Sequence, residues 1–264
     1  MKASVLAILL LAATLPVYSQ TSPASRAWSL LQAGVAEKSH EKRSQAAGAL
    51  ALLPGNLKAR QMAEAALKDS NSGVRIAAAQ ALGEMDAKQS AAALKAALDD
   101  SDAGVVLAAA GALLALKDPA AYDVYYEILT GTRKAKGSMF GEGMKTLHDP
   151  KKMALLGFEE GIGFVPFGGV SWGAFKFLSK DDVSPVRATA AAALTKDPDA
   201  EAGDALSKAA TDSKWLVQVA ALRALANRGD AKHLDAAAAA MSAENSHVQY
   251  TAAAAVIRLS STRR

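Results

Sequence analysis

A four-residue signature, Val74, Arg75, Ala78 and Leu82, comes back along this chain at a nearly constant interval. It returns as Val105, Val106, Ala109 and Leu113, then as Val186, Arg187, Ala190 and Leu194. Two more copies are Val217, Gln218, Ala221 and Leu225, and Val248, Gln249, Ala252 and Val256. Counted at the second residue the copies lie 31, 81, 31 and 31 apart, and Arg43 stands 32 before the first. A period of this length belongs to stacked repeats, in which each unit buries its apolar face on the next.

Within a unit the spacing is helical. Ala63, Ala66 and Leu67 precede Arg75 by 12, 9 and 8 residues, and Ala78, Ala79 and Leu82 follow it, so each of two helices carries one apolar stripe. Between them lie Asp69, Ser70, Asn71, Ser72 and Gly73, a turn whose side chains can cap the second helix. Asp118 with Pro119, Asp149 with Pro150 and Asp197 with Pro198 each set a capping carboxylate before a proline at the first helical position, and so mark unit boundaries. Asp118 and Asp149 are again 31 apart, which places a degenerate fourth unit inside the long interval, with Tyr122, Tyr125, Ile128 and Leu129 on its first helix. Seven units are expected, starting near Arg26, Leu57, Ala87, Asp118, Asp149, Asp197 and Asp230.

The runs DSNSGVRIAAAQALG, DDVSPVRATAAAAL and DSKWLVQVAALRALA resemble HEAT repeats of the short bacterial type, also found in phycobilisome-lyase-like proteins. The resemblance implies an all-α fold, an α-solenoid (superhelix) of about seven HEAT-like helix pairs, whose second helices line the concave face. It also implies a ladder of Asp and Arg along that face, matched here by Asp69 with Arg75 and by Asp181 with Arg187, while Val106, Gln218 and Gln249 depart from it. Such repeats serve mainly as protein-binding scaffolds, so Arg75 and Arg187 become candidates for contact with a protein partner. Capping by turn carboxylates accounts for the same residues without any ligand. No cofactor is implied.

One unit departs from the rhythm. Asp149 and Asp197 are 48 residues apart instead of 31, and the helix registers place the excess at about 157–174, reading GFEEGIGFVPFGGVSWGA. This insertion in the fifth repeat holds six of the 19 glycines, three of the six phenylalanines and Trp172, so it cannot continue a helix and is foreign to the repeat. Three readings stay open. Its aromatics fill a gap between poorly matched units; or Phe158, Phe164, Phe167 and Trp172 form an exposed patch that grips a protein partner; or the segment touches a membrane surface, beside the basic residues Arg133, Lys134, Lys136, Lys145, Lys151 and Lys152.

The N-terminal residues 1–19 read as a signal peptide: Lys2, an apolar stretch from Ala3 to Leu15, and small or β-branched residues before a cut after Ser19. An exported protein is expected, periplasmic or extracellular, with the solenoid spanning 20–264. The chain has no cysteine, which excludes disulfides, thiolate metal sites and a cysteine nucleophile. Its formal charge of +4 is spread among interspersed acids and bases and gives no nucleic-acid signature.

Catalytic motifs fail on context, and no enzyme is expected. Gly169, Ser171 and Gly173 fit a GxSxG nucleophile turn, yet that chemistry needs a preceding strand and a sheet to gather an acid and a histidine, and helical repeats flank it. His40, His148, His233 and His247 lack the spacing that sets two metal ligands on one helix face. His40 and His247 fall in turns, where exposure is expected.

Overall fold

The computed structural model describes residues 22–130 and 183–262, and all structural statements below concern them. They form twelve α-helices and no strand, as the repeat requires. The first three units are the pairs α1 (Pro23–Gly34) with α2 (His40–Ala49), α3 (Leu57–Ala66) with α4 (Ser72–Glu84), and α5 (Ala91–Ala97) with α6 (Ala103–Ala115). α7 (Ala120–Thr130) opens the fourth unit and α8 (Ser184–Ala193) closes the fifth. The last two units are α9 (Ala200–Ala209) with α10 (Trp215–Arg228), and α11 (Leu234–Ala240) with α12 (Ser246–Ser261). The insertion expected at 157–174 lies outside the described residues.

Capping follows the repeat register. Four residues before each marked position, Ser39, Asn71, Asp102 and Asn245 cap α2, α4, α6 and α12 through side-chain oxygens that accept from the first-turn amides. After the second helices the chain turns through the left-handed region at Gly55, Asp86, Lys117 and Gly229, the first three 31 apart. Behind Asp86 and Lys117 the amides of Ala87 and Asp118 reach back to Leu82 and Leu113, closing Schellman turns. One boundary differs from expectation. α9 is capped by Asp199, while Asp197 accepts from the Asp199 amide at 2.9 Å and closes a preceding turn, so Pro198 does not start the helix.

The core is built of alanine and leucine. Alanines at the contact positions, such as Ala78, Ala109 and Ala221, are fully buried and let successive second helices approach closely. α2, α4 and α6 pack in series, as do α8, α10 and α12. The two series join, because α12 also packs on α1 and α2. The row of second helices therefore runs α8, α10, α12, α2, α4, α6, and the first and last units of the chain are neighbours.

α12 pays no attention to amphipathic pattern. All residues from Tyr250 to Ile257 are buried, so it has neighbours on every side, α1, α2, α10 and α11 among them. At Gly34, a Cβ would sit 2.5 Å from Tyr250 Cε1 and 2.8 Å from Ala46 Cβ, so only glycine lets α1 lie against α12. Three polar contacts cross the same seam: Arg223 to Glu84 at 2.7 Å, Ser246 Oγ to Gln45 Oε1 at 2.6 Å, and Arg258 to the Leu52 carbonyl at 3.0 Å.

Candidate partner-binding surface

The turns between paired helices carry a ladder of ion pairs that crosses units. Arg43 Nε and Nη2 donate to Asp69 at 2.7 and 2.8 Å, and its Nη1 donates to the carbonyls of Glu37 and Lys38. Arg75 repeats this one unit on, holding Asp100 with two bonds of 2.8 Å and the carbonyls of Asp69 and Ser70 with Nη1. Arg187 pairs with Asp212, the carboxylate 25 residues on, through Nη1 and Nη2. Arg43 and Arg75 thus each tie their own turn to the carboxylate of the next unit, and Arg187 reaches the carboxylate of the unit after its own. Pairing of Asp69 with Arg75 inside one unit does not occur, because the forked guanidinium points along the stack. The Asp69 carboxyl is held below the usual carboxylate range, first by its hydrogen bonds from Arg43, and Asp212 likewise by Arg187.

These contacts place the two candidate arginines. Arg75 has only 14% of its side chain exposed and its donors are engaged within the protein. Arg187 remains 48% exposed while bonded to Asp212. The other candidates, Phe158, Phe164, Phe167 and Trp172, lie outside the described residues. Val106 is buried against Ala110 and Val124, which explains why a valine stands where the ladder would want a base.

α7 departs from its register mates. The slots that hold the half-buried Arg60 and Glu64 on α3, ion-paired at 2.6 Å, and Ala91 and Lys95 on α5 hold Tyr122 and Tyr126 on α7. These tyrosines are 57% and 69% exposed, and Leu129, one turn on, is 84% exposed. Leu129 stands in the register of Leu67 and Leu98, which are buried and half-buried, and departs from both in its exposure. Tyr125 and Ile128 turn inward against Val106, Ala110 and Val124. Spacing of four and three residues puts Tyr122, Tyr126 and Leu129 on one helix face. At the other edge of the interval 131–182, Val183 and Val186 are 60% and 54% exposed.

Two histidines, His233 and His247, play structural parts. His247 is half-buried rather than exposed, its ring stacked on Trp215 with centroids 5.4 Å apart; burial, with Arg223 nearby, pushes its pKa down to about 4. His233 is buried, with Nδ1 2.7 Å from Ser207 Oγ and Nε2 3.6 Å from Asp230, and locks α9 to the last unit. Serine, histidine and aspartate meet here around a ring that is only 5% exposed, and their contacts hold α9 to the last unit. Among the described residues no group of three or more ligating side chains could hold a metal. An open cleft of about 530 Å³ between the first two turns is lined by Lys38, Ser39, His40, Arg43, Ser70 and Asn71, but Arg43 is spent on Asp69 and the carbonyls.

Comparison with known proteins bears on this geometry. The family model described as HEAT repeats matches residues 29–130 and 173–258. No curated protein matches the chain. Among solved structures, a crystal structure of an engineered protein from a structural genomics consortium aligns over 90% of this chain and 97% of its own, at 19% identity and a TM-score of 0.29, too low to carry any argument.

Proposed function

Because this chain belongs to the HEAT-repeat family, whose repeats are typically non-catalytic scaffolds for protein interaction, we propose that it is an exported scaffold that captures a protein partner on the face around α7. The observation that carries this reading is the replacement of charged or small residues by Tyr122 and Tyr126, in line with the exposed Leu129. Tyrosine is a favoured anchor in interfaces, since its ring buries a large area at little entropic cost and its hydroxyl keeps a polar contact. The aromatic insertion residues Phe158, Phe164, Phe167 and Trp172 follow α7 in the chain and supply further anchors to the same partner. Export rests on the N-terminal 1–19, and mass spectrometry of the secreted or periplasmic protein should give Gln20 as its first residue.

The test compares the full chain with Tyr122→Ser/Tyr126→Ser and with Trp172→Ala. Both variants should keep the melting temperature of the parent while losing roughly tenfold or more of the affinity for a partner captured from envelope extract, as loss of a hot-spot aromatic does. Equal capture by all three proteins would end the proposal. Capture of anionic vesicles in place of protein would turn it toward a membrane surface.

A further inference from the structure

In an open stack the first and last repeats each leave an apolar end face that must be capped. Here those two units cap each other. α12 enters a socket formed by α1, α2 and residues 50–52, and the fit is specific: Gly34 makes room for the Tyr250 ring, while Thr251, Ala252, Ala253, Ala254 and Ala255 are small enough to be buried on all sides. The polar contacts across the seam join residues 139, 201 and 206 positions apart.

None of these contacts depends on both sides belonging to one molecule. Residues 22–130 and 183–262 are connected along the chain by the 52 residues between them. We propose that the socket on the first unit also accepts α12 of a second copy of this chain, so that the protein assembles with itself by exchanging its 183–262 half. The partner is defined by the chemistry of the socket: a helix with a tyrosine that fits against Gly34, followed by small residues, and a serine and an arginine placed for Gln45 and the Leu52 carbonyl. Within one chain the helix is tethered to the socket, so closure on itself prevails in dilute solution and exchange grows with protein concentration. Reciprocal exchange closes a two-fold dimer, and one-way exchange leaves a free socket and a free helix that propagate the assembly.

The absence of cysteine makes a clean test possible. Chains carrying Gln45→Cys and chains carrying Ser246→Cys are mixed, unfolded, refolded together over a series from about 10 μM to about 1 mM, and treated with a short bis-maleimide. A linked dimer with one chain of each kind is expected, its share rising about tenfold over the series and about tenfold above that of Gln45→Cys mixed with the exposed Asp235→Cys. The double variant Gln45→Cys/Ser246→Cys should link within the chain at the lowest concentration. Internal linking of the double variant with no mixed dimer above the Asp235→Cys background overturns the proposal. Failure of the double variant to link overturns the seam itself, and the proposal with it. Glu84→Cys and Arg223→Cys, across the 2.7 Å ion pair, repeat the measurement if either first variant does not refold.

Discussion

Placing a single methyl group at Gly34 should weaken the protein, and the loss should shrink when the ring opposite is cut back. The added Cβ would lie 2.5 Å from Cε1 and 2.8 Å from Cζ of Tyr250, about 1 Å inside contact distance. Tyr250 is only 3% exposed, so its ring has little room to withdraw. Overpacking of this kind costs about 1 to 3 kcal/mol. Against it stands the gain from replacing a helical glycine, about 0.5 kcal/mol at the last residue of α1, where propensity counts for less than in an interior. The net expectation for Gly34→Ala is a loss of about 1 to 2 kcal/mol. Tyr250→Leu removes two of the three close atoms, at a cost of about 2 kcal/mol, and leaves Ala46 Cβ 2.8 Å from the added methyl. In that background the loss from Gly34→Ala should shrink to about 0.5 kcal/mol or less, since only the Ala46 contact remains, giving a coupling of about 1 kcal/mol between residues 216 positions apart. Urea denaturation of the four proteins reads the cycle directly. If Gly34→Ala shifts stability by the same amount and in the same direction in both backgrounds, α1 does not lie against α12 and the seam is wrong.

Arg75→Ala leaves Asp100 and two turn carbonyls without their donor, and should cost about 2 kcal/mol by the same denaturation assay, more than the ~0.5 kcal/mol of an exposed pair. Lys117 holds a left-handed conformation that an L side chain disfavours, so Lys117→Gly should stabilise by about 0.5 to 1 kcal/mol, seen as a rise in urea midpoint. His247 gives a pH dependence. Its folded pKa of about 4 lies below the unfolded value near 6.5, so between them the unfolded chain binds the extra proton; the stabilisation is complete above about pH 6.5 and is lost as pH falls toward 4, by at most about 3 kcal/mol. Asp69, Asp118 and Asp212, with carboxyls held low, act only at more acid pH. His247→Gln should therefore flatten the profile between pH 6.5 and 4 and leave the steeper acid limb in place; an unchanged profile would show that His247 is not buried against Trp215.

Much of the fold could be read from residues because HEAT-type units solve the same local problem repeatedly. Asn71, Asp102 and Asn245 cap where the pattern puts them, since capping depends only on neighbours two or three residues away. The ladder was legible as residue types but not as pairs: a guanidinium at Arg43 chooses Asp69, 26 residues on, and which turn lies within reach depends on the stacking. The exposed face of α7 had a weak signal in the register, tyrosines where other units keep charge or alanine. Exposure of Leu129 had none, because the same leucine at the same phase is covered in two other units. His247 was expected in an open turn and is half-buried, since its cover, Trp215, comes from the unit before.

Sequence by itself determined the helix pairs, their period, their caps and the family, all of which follow from contacts between residues close in the chain or one period apart. Only the tertiary structure decided that the first and last units meet. The uninterrupted small and apolar run from Tyr250 to Ile257 announced a helix covered on all sides, but a periodic pattern is blind to what lies beyond its nearest neighbour. Closure depends on the accumulated twist of successive units and on one missing side chain at Gly34, quantities that appear only when the whole stack is assembled.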